Sequence, residues 1–519
     1  MKAGRALTDR IVPIADRQVA NKGAGDPTPD EDVAALAKGG RTNFFGFVLR
    51  LIARLPFLYF AGRWYGPEAL GRFAYAVLVV EFAAQLATLG LKRGLAQMLS
   101  NCEDETLHRN IVWDAMLAAT LASLLLGGVL IAVPQLMFPN SAINGFDRLL
   151  PLIIVAIAGT DIALAALAYR YDIGASVRAR SIVEPWAISL AAFAFAFYSL
   201  RDGLILSYVV AMVAAWLTAL VPLLKSYGLP SAWELRPTRL IAMAKQYLPL
   251  AGADAIEWGS RRLDLAVLGL FAAPAVVGIY YVAQQVASLP QRLKTSFDPI
   301  LGPVIARGVA EGRLKDVAAQ VAQVGFWVLA AQTGVALALG IPGDAVMGLA
   351  GKEFVAGTGA LALLLAAEVV ASTAVTSEAA LVYLAPRYNF LISLAMIALQ
   401  AAMSIVLCLA VQAFHWPPIF HGVAVALALA LALAAASLAK AWLLSRLTGA
   451  PVHGWRPALF WAAGGAVILG YGAMQLVEWA ELLIGVPVIL GIYGWVIWTR
   501  GFGPSDRELL RMGAKKDPA

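Results

Sequence analysis

Charge is what this sequence has least of. Only 14% of its 519 residues are Asp, Glu, Lys or Arg, against roughly 25% in ordinary soluble domains. A soluble chain of this length would divide into three or four domains, and so few charges could not cover their surfaces. Cysteine is almost missing too. Cys102 and Cys408 are the two present, one in a polar stretch and one inside an apolar run, which excludes a disulfide framework and a thiolate metal site. Of the four histidines, His415 and His421 in HWPPIFH come closest to a metal pattern, but no third ligand is near, so neither metal nor other cofactor is expected. Phosphate-binding loops, G-x-S-x-G and H-E-x-x-H are all lacking. That excludes ATP-driven work by this chain alone and points away from an enzyme.

What the chain has instead is hydrocarbon. Sixty per cent of it is hydrophobic and its mean hydropathy is +0.74, with uncharged runs such as LAATLASLLLGGVLIAV at 117–133. Such runs belong in a bilayer. The expected fold class is an all-α polytopic membrane protein with about fourteen transmembrane helices, at 43–62, 73–91, 111–133, 149–169, 182–199, 203–224, 247–268, 274–293, 321–342, 359–384, 389–411, 419–444, 457–477 and 481–499. The excess of 40 Lys and Arg over 33 Asp and Glu would suggest nucleic acid in a soluble protein; here it reads as topology, and no nucleic-acid partner is expected. With the N-terminus inside, Arg63, Arg72, Arg148, Arg201 and Lys352 fall outside, Arg50, Arg54, Arg261 and Arg262 fall within spans, and the other basic residues fall inside. That bias predicts both termini to be cytoplasmic. The polar first forty or so residues lack an apolar core with a cleavage site, so they read as a retained tail rather than a signal peptide.

An internal repeat organises the spans. PEALGRFAYA, from Pro67 to Ala76, aligns with PAVVGIYYVA, from Pro274 to Ala283, with Pro and Gly kept at matched places; the same shift carries Arg54 onto Arg261. Six spans precede the second copy. The first twelve therefore read as two six-helix lobes related by pseudo-two-fold symmetry, with two C-terminal helices appended. The expected divisions are a cytoplasmic polar tail at 1–42, an N-terminal lobe at 43–225, a cytoplasmic linker at 226–246, a C-terminal lobe at 247–445, the appended helices at 446–500 and a cytoplasmic tail at 501–519.

The string from Gly62 to Gly71, GRWYGPEALG, followed by LATLGL from Leu86 to Leu91, resembles the first helical hairpin of polysaccharide and lipid-linked oligosaccharide flippases. RLDLAVLG from Arg262 to Gly269 and VGIY from Val277 to Tyr280 look like the start of their second half. On these residues the chain resembles the multidrug/oligosaccharidyl-lipid/polysaccharide (MOP) exporter superfamily, and most of all its Wzx-type flippase branch. By helix order the resemblance spans about 41–445. It implies a flippase of the bacterial inner membrane that turns an undecaprenyl-diphosphate-linked oligosaccharide, a polysaccharide repeat unit, across the bilayer by alternating access. The implied partners are that polyprenyl-diphosphate-linked glycan, membrane lipids and other polysaccharide-export proteins. A cation-coupled multidrug antiporter of the same superfamily, a membrane-embedded polysaccharide polymerase or ligase, and a non-transporting scaffold are the competing readings.

Charges within or close to spans carry the residue-level argument. Arg50, Arg54, Glu81, Asp114, Asp161, Glu184, Asp254, Glu257, Arg261, Arg262, Asp264, Glu368 and Glu378 are of this kind. At roughly 3 kcal/mol each, these would cost on the order of 40 kcal/mol facing lipid, so they must face one another, water or a ligand. On a continuous seventh helix Asp254, Glu257, Arg261 and Asp264 share one face while Arg262 points away. Arg54 and Arg261 are the expected diphosphate ligands, supported by Arg50, because guanidinium gives planar bidentate donors and stays charged; the other reading has Arg261 neutralising Glu257 and Asp264 along its own helix. Asp254, Glu257, Asp264, Glu368 and Glu378 are candidates to couple transport to H⁺ or Na⁺, or else to balance the arginines. Tyr281, Gln284, Gln285 and Ser288 recur with Gln291 and Arg292 at helical spacing, forming a polar stripe suited either to sugar hydroxyls or to interhelical hydrogen bonds.

Overall fold

The computed structural model describes residues 56–506 apart from 103, 231–235, 295–304, 476–477 and 504–505. Among these the chain is helical, and nine helical stretches are long and apolar enough to cross a membrane. The labels used below are α1 (56–65), α2 (Gly66–Ala87), α3 (Leu91–Ser100), α4 (Glu105–Ala132), α5 (Gly145–Tyr169), α6 (173–195), α7 (Gly203–Tyr227), α8 (Pro237–Ser260), α9 (Leu263–Phe271), α10 (Pro274–Lys294), α11 (Leu314–Gly340), α12 (Thr358–Leu384), α13 (Pro386–Ala413), α14 (Phe420–Thr448), α15 (Pro457–Ala473) and α16 (Glu481–Gly501). This is the all-helical membrane architecture that the composition implies.

Local sequence decides where helices stop. Gly66 and Pro67 turn the chain between α1 and α2, with Gly66 at φ 78°, and Pro67 opens the new helix, where its missing N–H is harmless. In α3, Leu91, Leu95 and Leu99 recur every fourth residue and are buried with Gly94, while Lys92, Arg93 and Gln97 lie on other faces. This short helix is amphipathic and packs against α5 and α8. α6 carries a π-helical stretch at Val177–Val183 just before Pro185, a widening of the helix that re-aims the side chains within it.

The seventh expected span differs most from a single helix at 247–268. Helix begins at Pro237, inside the segment read as linker, and Leu240, Met243, Tyr247 and Ala251 bury one face of it. It ends at Ser260. Arg262 has φ −130° and ψ 12°, and α9 starts at Leu263. Gly259 and Ser260 are weak helix formers, and the break also separates two packing environments. α8 lies on α2, α3 and α4, whereas α9 lies on α13 and α14.

Two groups of helices emerge. α2 packs with α4, α5 and α7, and α6 packs with α7; α10, α11, α12 and α14 pack on one another, with α13 against α14. The α12–α14 contact rests on small residues. Ala424, Ala428, Ala432 and Ala436 repeat every fourth position and all are buried, which lets the two backbones approach. α2 and α10 join the groups along the centre.

α15 and α16 pack on each other and on α11 through Phe326, Leu329, Ala462, Ile489 and Tyr493. Their far ends are tied by one carboxylate. Asp506, 1% exposed, accepts from Gln323 at 2.7 Å, Trp327 Nε1 at 3.0 Å, Arg456 at 2.7 Å and the Gly503 N–H at 2.9 Å. Burial alone would raise its pKa, but the bonds from Arg456, Gln323 and Gly503 outweigh burial and hold the carboxyl below its ordinary value. A depressed folded-state pKa stabilises above the unfolded value and is lost as pH falls through the folded one. The C-terminal tie is therefore expected to hold at neutral pH and to release only below the ordinary carboxylate range near pH ~4. Asp506→Asn should lower stability by about 1.5–3 kcal/mol and remove that acid dependence, read as proteolytic cutting after Gly501 across a pH series.

Candidate functional site

At one end of the α2–α10 seam the two copies of the repeat meet each other. A Cβ on Gly71 would fall on the carbonyl of Pro274, and a Cβ on Gly278 would fall on the carbonyl of Pro67. The contact is reciprocal, as a two-fold axis between matched motifs requires. Neighbouring contacts extend the closure. Gly62 lies against the Ala350 backbone, Arg63 donates to the carbonyls of Leu349 at 3.2 Å and Gly348 at 3.4 Å, and Asn140 donates to Gly269 at 2.9 Å and Ala272 at 3.0 Å. Much of the GRWYGPEALG motif thus serves to seal one end of the seam.

Toward the opposite end of α2, ion pairs tie α3 to α8. On α3, Arg93 Nε lies 2.8 Å from Asp254 and its Nη2 2.8 Å from Glu257, while Lys92 stands 3.8 Å from Asp254. Asp254 is buried and Glu257 is half exposed; Glu257 also pairs with Arg261 at 3.1 Å. Arg261 itself is exposed, paired along its own helix. Arg50 and Arg54 lie outside the described residues.

Between the ends sits a cavity of about 130 Å³, lined by Phe57, Phe73, Glu81, Glu184, Tyr208, Arg262, Tyr281, Gln285 and Ser288 among others. The Tyr208 hydroxyl donates to Glu81 at 2.9 Å, and Arg262 reaches Glu81 at 3.5 Å. Arg262 also stands 5.0 Å from the Trp258 ring centroid. Behind them Arg180, aimed inward by the π-helical stretch, bridges Asp161 and, at 2.9 Å, Glu184. These are two neighbouring clusters, Arg262–Glu81–Tyr208 and Asp161–Arg180–Glu184, and Glu81 and Glu184 both line the chamber. The cavity is smaller than the roughly 300–1,000 Å³ of a typical ligand site.

The helix break corrects the expected charge stripe. Asp254 and Glu257 turn to Arg93, whereas Asp264, on the next helix, accepts from Tyr280 at 2.5 Å and from Gln284 at 3.0 Å. Gln284 is thereby tied to a carboxylate, while Tyr281, Gln285 and Ser288 line the chamber. Arg262, which a continuous helix would turn away, faces the chamber instead. Glu378 is joined by Lys440, buried at 3% exposure, with Nζ at 2.8 Å from the carboxylate and 3.0 Å from Ser393. Glu368 is half-buried on the same helix, outside the chamber lining. Sequence reasoning missed Arg180, Arg262, Tyr208 and Lys440 as site residues. The paired weak formers before Arg261 and the proline after Glu184 were the available signals for the first two.

Two outcomes are expected. Gly71→Leu should hold the glycine-sealed end open; with Cys102 and Cys408 replaced, a cysteine at Ser288 would then react at least tenfold faster with an impermeant maleimide from that side only. An unchanged rate would remove the sealing role. Glu378→Gln should strand the buried ammonium and cost about 2–3 kcal/mol, the low side for such a loss because Ser393 still accepts. The double change Glu378→Leu with Lys440→Met should recover most of the thermal midpoint.

Residues 62–336 match the model of a family described as polysaccharide biosynthesis protein. Among proteins of curated function none matches significantly in sequence. Solved structures share the fold. The lipid II flippase MurJ in an inward closed conformation is 12% identical, with a TM-score of 0.68 over 91% of this chain and 100% of that one. An inward-facing multidrug resistance MATE family transporter of the MOP superfamily is 14% identical, with a TM-score of 0.60 over 77% and 95%. A MOP superfamily transporter from Pyrococcus furiosus is 14% identical, with a TM-score of 0.52 over 78% and 95%. With more than half of its length matched, the chain belongs to the polysaccharide biosynthesis protein family, and its fold is that of the MOP superfamily of flippases and transporters.

Proposed function

We propose that this chain is a flippase that carries an undecaprenyl-diphosphate-linked oligosaccharide across the bacterial inner membrane by alternating access. The observation that carries the reading is the charged chamber between the two helix groups, sealed at one end by the glycine contacts of α2 with α10 and flanked at the other by the ion pairs of α3 with α8. One closure is steric and the other is ionic, so the two can open separately. Within the chamber Arg262 is held by a long contact to Glu81. A diphosphate can draw that guanidinium away from its carboxylate, since phosphate oxygens match its donors better than a single distant oxygen does. Arg50 and Arg54 keep their proposed role as further headgroup ligands. Arg261 belongs on this reading to the ionic end, with Asp254 and Glu257. Tyr281, Gln285 and Ser288 offer a phenol, an amide and a hydroxyl to the first sugar.

The positive-inside bias supports placing the Arg93 end and both termini in the cytoplasm. Glu81 and Glu184, two carboxylates lining the chamber, support coupling to H⁺ or Na⁺, taken up when the diphosphate occupies the arginines. A cationic-drug antiporter fits less well, because Glu81, Asp161 and Glu184 are each already paired with a guanidinium.

Arg262→Ala should lower export of the lipid-linked repeat unit at least tenfold with normal membrane insertion, and Arg262→Lys should restore part of it. Loss of the whole protein should leave complete repeat units facing the cytoplasm; single units reaching the surface would instead indicate a polymerase. Collapsing the membrane potential and ion gradients together should stop flipping in vesicles, and an unchanged rate would refute coupling.

A further inference from the structure

A second cavity, of about 520 Å³, runs beside the chamber between α2, the α8–α9 break and α13. Its wall is formed by Phe82, Trp258, Leu263, Ala266, Leu394 and Ile397, with Arg262 as the one charged side chain lining it. It opens through the side of the bundle. Phe82 on one rim and Leu394 on the other are exposed, each on a helical stretch long and apolar enough to cross a membrane. Arg262 lines both this groove and the charged chamber, so the two spaces meet at its guanidinium, which rests on Trp258 on the groove side and reaches Glu81 on the chamber side.

We infer that this groove holds the isoprenoid chain of the transported diphosphate lipid, with the diphosphate at Arg262 and the glycan in the chamber. The inference rests on the proposed flippase reading. Three features select such an occupant. The groove is apolar except at its inner mouth, so a free sugar or a soluble anion gains nothing from it. The cation stands at that mouth and not along the wall, so the fitting ligand is anionic at one end and apolar beyond it. The groove and the chamber share Arg262 as a lining residue, so a ligand that engages its guanidinium adjoins both. A location on the two C-terminal helices is the natural alternative, but α15 and α16 pack on α11 and supply no lining residue to either space.

The test uses the full chain in nanodiscs and a polyprenyl diphosphate carrying a benzophenone at the far end of its chain. Photolysis is expected to label α9 and α13, and excess undecaprenyl diphosphate should suppress that label at least tenfold, whereas excess phosphatidylglycerol should not. Ile397→Trp should reduce the label at least fivefold. Because a tryptophan there can also disturb folding, Ile397→Cys is tested in parallel, with Cys102 and Cys408 replaced: labelling should be normal before, and lost after, reaction with a long-chain alkyl methanethiosulfonate. Saturable label confined to 457–501 would overturn the tail assignment and leave the flippase reading standing. Suppression by phosphatidylglycerol equal to that by the diphosphate would make the groove a phospholipid site and overturn it likewise. Absence of saturable label anywhere on the chain would instead count against the diphosphate-lipid reading itself.

Discussion

A charge inside the hydrocarbon layer must find a partner, and this requirement shapes the protein more than any other. Each such group is expensive alone, and the sequence keeps over a dozen of them within or beside its apolar spans. Within one helix the choices are few, so the partners come from elsewhere: Arg93 of α3 with Asp254 and Glu257 of α8, Glu81 of α2 with Arg262 before α9, Glu378 of α12 with Lys440 of α14. Some of these pairs stay within one helix group and fix it. Others cross the seam, and it is these that set how far the groups can separate.

The two ends of the seam are closed by different physics, and the difference matters for transport. Glycine-on-carbonyl packing at Gly71 and Gly278 is short-ranged and steric; it contains nothing that an anion can replace. Ion pairs at Arg93 are exchangeable, because an incoming phosphate offers the same guanidinium better acceptors than a carboxylate shared with Arg261. On the proposed reading, an anionic substrate loosens the ionic end and leaves the glycine end closed. On that reading the asymmetry sets the direction of entry without requiring a separate sensor.

Hydropathy made most of the architecture legible. The all-helical class follows from run length, because the bilayer forces backbone bonds to be local, and the meeting of the two hairpins follows from the Pro and Gly at matched places; of the fourteen expected spans, nine stretches among the described residues are long and apolar enough to cross. The site was legible only in part. Tyr281, Gln285 and Ser288 were visible as a stripe on an unbroken helix, and they line the chamber. Arg262 was not, since its direction depends on a break that Gly259 and Ser260 permit but do not dictate; the packing of α8 on one group and α9 on the other decides it. Arg180 was hidden for a similar reason, as a π-helical widening turns a side chain that reads as a loop charge into the bundle. Periodicity assumes regular helices, and both misses sit where regularity fails.

Those irregular points are also where the functions meet. From Asp254 to Asp264 the chain passes through the ionic closure, the rim of the apolar groove, the charged chamber and the Tyr280–Gln284 anchor on α10. An unbroken helix would place Asp254, Glu257, Arg261 and Asp264 on one face and commit them to a single environment. The break instead divides the segment, leaving α8 with one helix group and α9 with the other, and Arg262 at the joint between them. On the proposed reading the joint bends when the groups move apart, and the guanidinium that meets the substrate is carried on it. That reading couples substrate contact and lobe movement through the covalent chain itself, over a distance of one residue.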